Sequence, residues 1–328
     1  MKKAGIIGGS GYTGGELIRI ILNHPKIKLE FVYSSTRAGS LLSDKHNDLL
    51  GVTDIKFTDV INESVDIVFL CLGHGNSKTF LKNNNFSKKT IIIDLSNDFR
   101  LNNDNEFSNK HFTYGLPEFQ KSKIKKSTNI ANPGCFATSI QLALLPLSNK
   151  NMIQNSVHVN SITGTTGAGV GLSDTSHFSW RNNNISWYKA FNHQHLDEIK
   201  ETLNSFQNKK IEIYFIPQRG NFTRGIFTTC YTNFDGTINE AKELYSNYYK
   251  DHPFTTISEN EISLKQVINT NNCFIHLYKY EGLLLITSII DNLIKGASGQ
   301  AIQNVNLIMG WNENKQYNQL KIYKKKEY

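Results

Sequence analysis

Between an apolar run, Ala4–Ile7, and a stretch of helical periodicity, Gly15–Leu22, the chain reads Gly8-Gly9-Ser10-Gly11-Tyr12-Thr13-Gly14. This glycine-rich turn joining a strand directly to a helix restricts the fold more than any other feature. The helix closes at Asn23-His24-Pro25 and a second strand, Leu29–Tyr33, follows. That order opens a βαβ unit, which builds a parallel sheet. Glycines here let the backbone approach a pyrophosphate and seat it on the helix N-terminus. Two registers fit, Gly9/Gly11/Gly14 and Gly8/Gly11/Gly14. Glycine spacing alone is weak, but the strand–turn–helix setting makes it specific. Ligand contacts are expected from Gly8, Ser10, Gly11, Tyr12, Thr13 and Gly14.

Further strands at Ile67–Leu72 and Ile91–Leu95 have the continuous apolar character of a sheet covered on both faces. The first part of the chain is therefore predicted as a doubly wound parallel α/β sheet. After about residue 150 the runs alternate more. Val157–Thr163, Ile211–Pro217, Arg224–Tyr231, Phe274–Tyr280 and Leu283–Ile289 predict a second, α+β domain with antiparallel neighbours. Leu293–Met309 then predicts one long helix with Gly296 and Gly299 near its start. A length of 328 residues suits two domains, each with its own core.

Composition excludes several classes. The net charge of +8 is not gathered into a basic stripe with interleaved aromatics, so nucleic acid is not an expected partner. Lys324-Lys325-Lys326 is expected to be a solvated tail, and the basic balance suits anionic small molecules. Cys71, Cys135, Cys230 and Cys273 lie far apart and form no CxxC pair, which argues for a reducing, cytoplasmic setting. No signal-peptide core follows Met1-Lys2-Lys3, and Leu283–Ile290 is far too short to span a bilayer, so no membrane partner is expected.

Chemistry concentrates in a few places. Where an NAD site would carry an acidic residue after the second strand, the chain has Ser34, Ser35 and, beyond Thr36, Arg37. Hydroxyls and a guanidinium suit a 2′-phosphate, so the expected cofactor is NADP. Pro133-Gly134 punctuates the chain just before the apolar helix Phe136–Leu147, which places Cys135 at a helix start. Unpaired N–H groups and the positive end of the macrodipole favour a thiolate there. A small buried side chain is the competing reading. His195 and Glu198, three apart, share a helix face, where the carboxylate can orient the imidazole for acid–base work. With His193 they do not match a zinc motif, and no metal is expected. Arg100, after a strand, and Arg224, opening one, are candidates for binding a phosphate or carboxylate.

The chain resembles the N-acetyl-γ-glutamyl-phosphate reductase family, the NADPH-dependent acyl-phosphate reductases of arginine biosynthesis. The resemblance rests on Gly8–Gly14, Leu95–Leu101, Tyr114-Gly115-Leu116-Pro117-Glu118, Asn132–Thr138, the Gly164–Gly169 loop, His193–Ile199, Thr223-Arg224-Gly225 and Asn292–Asn306, in family order over nearly the whole length. It implies a Rossmann-type domain from residues 1–134 plus 295–328, interrupted by a catalytic and dimerisation α+β domain at 135–294. It implies Cys135 as nucleophile and a histidine of the 193–198 segment as acid/base, with His195 favoured because Glu198 can support it. Gly296 and Asn304 resemble the returning helix near the nicotinamide, and Asn132, His193, Arg100 and Arg224 are expected around the substrate. A homo-oligomer, dimer or tetramer, is implied. The small-molecule acyl phosphate stays open between N-acetyl, N-succinyl and longer-chain forms. Ala137 and Ser139 depart mildly from the family pattern and remove no reacting group.

Overall fold

The computed structural model describes residues 1–154 and 156–313; the basic run Lys324–Lys326 lies outside them. The chain divides into two compact units, one made of Met1–Asn132 with the segment that begins at Ser298, the other of Pro133–Ala297.

The first unit runs β1 (Lys2–Ile7), α1 (Tyr12–Leu22), β2 (Ile27–Tyr33), β3 (Phe57–Thr58), β4 (Ile67–Leu70), α2 (Asn76–Asn83), β5 (Ile91–Asp94), β6 (Glu106–Phe107), β7 (Lys110–Tyr114), α3 (Pro117–Ile124) and β8 (Asn129–Ala131). Its strands form one sheet in the order β3-β2-β1-β4-β5-β8-β7-β6. Every neighbouring pair is parallel except β6 with β7. The order reverses between β1 and β4, the crevice where ligands bind in open α/β sheets. β4 and β5 are buried along their whole length, as sheet strands covered on both faces must be. One core cluster packs Ile7, Phe31, Val68, Leu70, Phe99 and Phe112 together, with Phe99 and Phe112 stacked at 4.0 Å.

The second unit opens with α4 (Cys135–Asn149) and continues through β9 (Ser156–Thr163), α5 (Phe178–Arg181), β10 (Ser186–Trp187), α6 (His195–Asn204), β11 (Glu212–Arg219), β12 (Ile226–Asn233), α7 (Ile238–Tyr249), β13 (Thr255–Ser258), β14 (Cys273–Tyr280) and β15 (Leu283–Ile290). The sheet order is β10-β11-β9-β12-β15-β14-β13. Antiparallel pairing links β9, β12, β15 and β14, while β11 with β9 and β13 with β14 are parallel. Buried α4 packs on this sheet, flanked by α6 and α7. Pro146 lies inside α4 and has no N–H for the carbonyl of Leu142. The hydroxyl of Tyr249 donates to that carbonyl at 2.5 Å, and Tyr245 donates to the next one, on Ala143, at 2.6 Å. Two α7 side chains thus keep a proline-containing helix continuous.

The stretch expected as one helix from Leu293 is two. A π-helical turn, Ile294–Ser298, precedes α8 (Gly299–Ile308). The N–H of Gly296 reaches back five residues to the carbonyl of Asp291 at 2.9 Å, the hydrogen bond that widens the turn. Among the described residues no helix is long and apolar enough to cross a membrane.

Candidate active site

Cys135 is the first residue of α4, and Gly134 before it takes the N-cap position in an extended conformation, φ −70° and ψ 151°, with no side chain capping the helix start. The positive end of the α4 macrodipole therefore lies at the residue that bears the thiol. Gly296 lies on the other side of the cysteine. A β-carbon on it would fall 2.8 Å from Cys135 Cβ, so only glycine leaves the thiol its place. The wide π-helical turn supplies that approach, a common use of such turns at functional sites.

His195 begins α6, as the spacing predicts, and its ring lies against Gly134. A β-carbon on Gly134 would be 2.4 Å from His195 Nε2. Glu198, one helical turn on, is buried with the histidine. Its Oε1 stands 3.9 Å from His195 Nε2, while Oε2 accepts the Gly134 N–H at 3.2 Å. One carboxylate thus ties the imidazole to the peptide that precedes the cysteine.

His193 is placed differently. Its Nδ1 accepts the N–H of His195 at 3.2 Å, which requires that nitrogen to be unprotonated. Burial pulls its pKa down to about 4, with the charges of Lys189 and Arg219 adding to the effect. It is a neutral ring at pH 7. Phe136 stands edge-on to both imidazoles.

Two residues that the sequence did not single out join this cluster. Tyr188 packs edge-on to His193. Burial pushes its phenol up to about 12, with the Arg219 guanidinium opposing and Cys135 adding. Arg219 ends β11 and lies over the Tyr188 ring, 4.7 Å from its centre. Only the folded chain brings these two side chains to Cys135; neither sits in a motif.

Arg224, a candidate for a substrate anion, has a bidentate partner in the protein. Its Nε and Nη2 reach the buried carboxylate of Asp291 at 3.0 and 3.3 Å. Asp291 also accepts the N–H groups of Asn269, Leu293 and Ile294, so the pair anchors the π-helical turn that carries Gly296.

In the first unit, the glycine turn shows which glycines the protein needs. Gly8 has φ +80°, and a β-carbon there would lie 2.6 Å from the Cys71 carbonyl. At Gly14 it would lie 2.7 Å from Gly9 Cα. At Gly11 it would meet nothing closer than Gly8 O at 3.9 Å. Protein packing does not demand that glycine, and it occupies the N-cap of α1, a helix start open to an anion. Ser10 and Thr13 are half-buried and Tyr12 is exposed beside it. After β2, Ser34 is buried while Ser35, Thr36 and Arg37 are exposed, with no carboxylate among them. The donor set fits a dinucleotide.

Asn304, on α8, is buried; its Nδ2 donates to Gly115 O at 2.9 Å and Asn132 Oδ1 at 3.2 Å. Its own Oδ1 is sealed from solvent without a hydrogen-bond partner among the described residues, as an acceptor kept for a bound amide would be. Arg100 is buried too, and donates from Nε to Asn132 O at 2.9 Å and from Nη2 to Leu95 O at 3.2 Å. The N–H of Asn132 bonds to Asp94 O at 2.7 Å. The substrate-anion roles expected of Arg100 and Arg224 thus meet guanidinium groups already engaged in fixing backbone and carboxylate. Among the described residues no group of His, Cys, Asp and Glu is placed to hold a metal ion.

Comparison with known proteins agrees with this geometry. The family model for the semialdehyde dehydrogenase NAD binding domain matches residues 3–127, and that for the semialdehyde dehydrogenase dimerisation domain matches residues 135–292. An N-acetyl-gamma-glutamyl-phosphate reductase of Flavobacterium johnsoniae is 59% identical over 95% of this chain and 97% of its own. Those of Christiangramia forsetii and Bacteroides thetaiotaomicron, with the same coverage, are 56% and 50% identical. Among solved structures, aspartate semialdehyde dehydrogenase II of Vibrio cholerae complexed with ASA superposes with a TM-score of 0.72 at 13% identity, covering 94% of this chain and 98% of that one. The Francisella tularensis aspartate semialdehyde dehydrogenase gives 0.69 at 16% identity, covering 94% and 100%. The structures share the fold; the sequence matches carry the relationship. A nicotinamide-binding domain, a cysteine at a helix start and identity to these reductases at half or more of the aligned positions together place the chain in the N-acetyl-gamma-glutamyl-phosphate reductase family of semialdehyde dehydrogenases.

Proposed function

We propose that the chain reduces N-acetyl-γ-glutamyl phosphate to N-acetylglutamate 5-semialdehyde with release of phosphate, a step of arginine biosynthesis, through a thioester on Cys135. The observation that carries this reading is the placement of Cys135 at an uncapped helix start, with His195 and Glu198 packed on the residue before it. His195 takes the thiol proton, and the Cys135 sulfur attacks the γ-acyl carbon. The acyl–oxygen bond breaks and the departing phosphate takes that proton. NADPH, when bound, supplies the hydride that reduces the thioester. Collapse of the resulting tetrahedral adduct then frees the aldehyde and restores the Cys135 thiolate. Covalent catalysis divides one hard displacement into easier steps. The neutral state of His193 supports His195 as the proton carrier, and leaves His193 as a cap for α6 that can also donate to substrate from Nε2.

Cofactor contacts are assigned to Gly8, Ser10, Gly11, Tyr12, Thr13 and Gly14 for the pyrophosphate, and to Ser34, Ser35 and Arg37 for the 2′-phosphate of NADP. Asn304 holds the nicotinamide amide, and Gly296 keeps the space beside the thiol. Arg100, Asn132, His193 and Arg224 are assigned to the substrate, Arg100 and Arg224 as holders of its phosphate or carboxylate. None of the four cysteines is joined in a disulfide, which suits the reducing cytoplasm. We further assign a homo-oligomer to the exposed face of the second sheet, where Tyr214, His158, Tyr231, Leu285 and Tyr278 stand in register across five strands. Its support is the dimerisation-domain match over residues 135–292; Tyr231→Asp is expected to shift the mass measured by light scattering toward the monomer.

The decisive assay runs in the oxidative direction with N-acetylglutamate semialdehyde, NADP⁺ and phosphate. Wild type turns over and Cys135→Ala does not; substantial phosphate-dependent oxidation by Cys135→Ala would remove the thioester from the mechanism.

A further inference from the structure

The second unit holds three arginines, Arg181, Arg219 and Arg224, and they are used unequally. Arg181 donates to the carbonyls of Thr175, Asn184 and Arg219 and to Ser186 Oγ, and so rivets its own loop. Arg224 is balanced by Asp291. Arg219 has no carboxylate paired with it among the described residues, and its Nε is sealed from solvent without an acceptor. A partly buried guanidinium with an unmet donor is costly unless something supplies the missing acceptor.

The neighbours of Arg219 show where that acceptor comes from. The guanidinium lies on the Tyr188 ring, and Tyr188 lies close enough to Cys135 and to Arg219 to feel both charges. Arg219 also bears on His193, the ring beside His195. The unmet donor therefore belongs to the same cluster as the nucleophile. Tyr188 and His193, both neutral, line it without offering a negative charge.

We propose that Arg219 binds a carboxylate of the substrate, with Tyr188 as the platform that holds the guanidinium plane. This rests on the reading of the chain as an N-acylglutamyl-phosphate reductase, whose substrate carries an α-carboxylate on the glutamyl part. If the N-acyl group is itself a diacid, as in an N-succinyl substrate, a second carboxylate is available. A guanidinium fork suits either, because it meets both oxygens of a carboxylate in one plane. Arg219 is thus a substrate-specificity residue that neither Arg100 nor Arg224 replaces.

The test compares wild type, Arg219→Leu and Arg219→Lys in the oxidative reaction with N-acetyl- and N-succinylglutamate semialdehydes, reading KM for aldehyde and for phosphate separately. Arg219→Leu is expected to raise the aldehyde KM on the order of 100-fold while leaving the phosphate KM unchanged, with Arg219→Lys between. An equal loss for both aldehydes assigns the α-carboxylate; a loss confined to the N-succinyl aldehyde assigns the acyl carboxylate. A rise in phosphate KM alone, or no change in either, overturns the proposal. A second measurement does not need turnover: N-acetyl- and N-succinylglutamate should slow iodoacetamide alkylation of Cys135 in wild type and fail to do so in Arg219→Leu. Equal protection of both proteins overturns the Arg219 assignment. Wild type that is protected yet oxidises neither aldehyde instead removes the reductase reading.

Discussion

The imidazole of His195 occupies the space that a side chain on Gly134 would need, with Nε2 2.4 Å from the β-carbon position. The residue before Cys135 is therefore glycine for the sake of that ring. Gly134 has φ −70° and ψ 151°, which alanine adopts freely. Gly134→Ala should fold with an unchanged circular dichroism spectrum and displace the ring. We expect kcat to fall roughly 100-fold, the scale of one acid–base catalyst. A kcat near that of wild type would show that the ring yields without cost.

Gly296→Ala tests the opposite wall. Its methyl group would fall 2.8 Å from Cys135 Cβ and 3.2 Å from Cys135 Cα, neither of which can swing away. Alkylation of Cys135 by iodoacetamide should slow and kcat should drop, while NADP affinity measured by fluorescence quenching stays within a few-fold. A thiol that reacts as fast as in wild type would contradict the contact.

His193 gives a pH signature. Its folded pKa, about 4, lies below the ordinary 6.5, so the native state resists taking its proton. The sign follows: the contribution is fully present above pH 6.5 and is lost as pH falls toward 4. By ring NMR, His193 should remain neutral at pH 6. His193→Asn, able to accept the His195 N–H, should leave the neutral-range limb of the kcat/KM profile in place, and His195→Asn should abolish it.

Asp94 shifts the other way. It is buried among the hydroxyls of Ser77 and Ser96 at 2.6 and 2.7 Å, yet burial still lifts its pKa to about 6. Its folded pKa exceeds the ordinary 3.8, so ionisation destabilises the native state increasingly as pH rises from about 4 to about 6. The difference corresponds to on the order of 3 kcal/mol. Asp94→Asn lacks this term, so its Tm relative to wild type should climb over that interval and level off above it. A Tm difference that does not vary with pH would contradict the shift.

Tyr249→Phe probes the proline in α4. It removes the hydroxyl that satisfies the Leu142 carbonyl and should cost about 1–3 kcal/mol in urea unfolding. Pro146→Ala in the same background should recover much of the loss, because it restores the helix's own donor.

Much of this architecture is readable in the sequence because its long elements carry periodicity. The strand–turn–helix opening, the apolar runs of β4 and β5 and the alternating β9, β12, β14 and β15 lie where patterning puts them, within a residue or two at most ends. β8 has three residues and β3, β6 and β10 two each, too few to show a period. The π-helical turn is invisible to periodicity, since the five-residue hydrogen bond from Gly296 to Asp291 that widens it leaves no repeat in the sequence. His195 and Glu198 were legible because a helix puts residues three apart on one face. Arg219 and Tyr188 were not, because Gln218-Arg219-Gly220 resembles any strand end. What distinguishes Arg219 from Arg181, Arg224 and Arg100 is which acceptors the fold hands to each, and that is a tertiary property.

The helix α8 completes a unit whose other residues end at Asn132. Its side chains from Gly299 to Leu307 are buried, Asn304 latches Gly115 and Asn132, and Ser298 bonds to Thr13 O in the glycine turn at 2.8 Å. During synthesis the second unit, continuous in sequence, has all its parts before the first does. The first unit's fold therefore has one side uncovered until α8 emerges from the ribosome. A product truncated before α8 would expose the apolar surface that this helix covers.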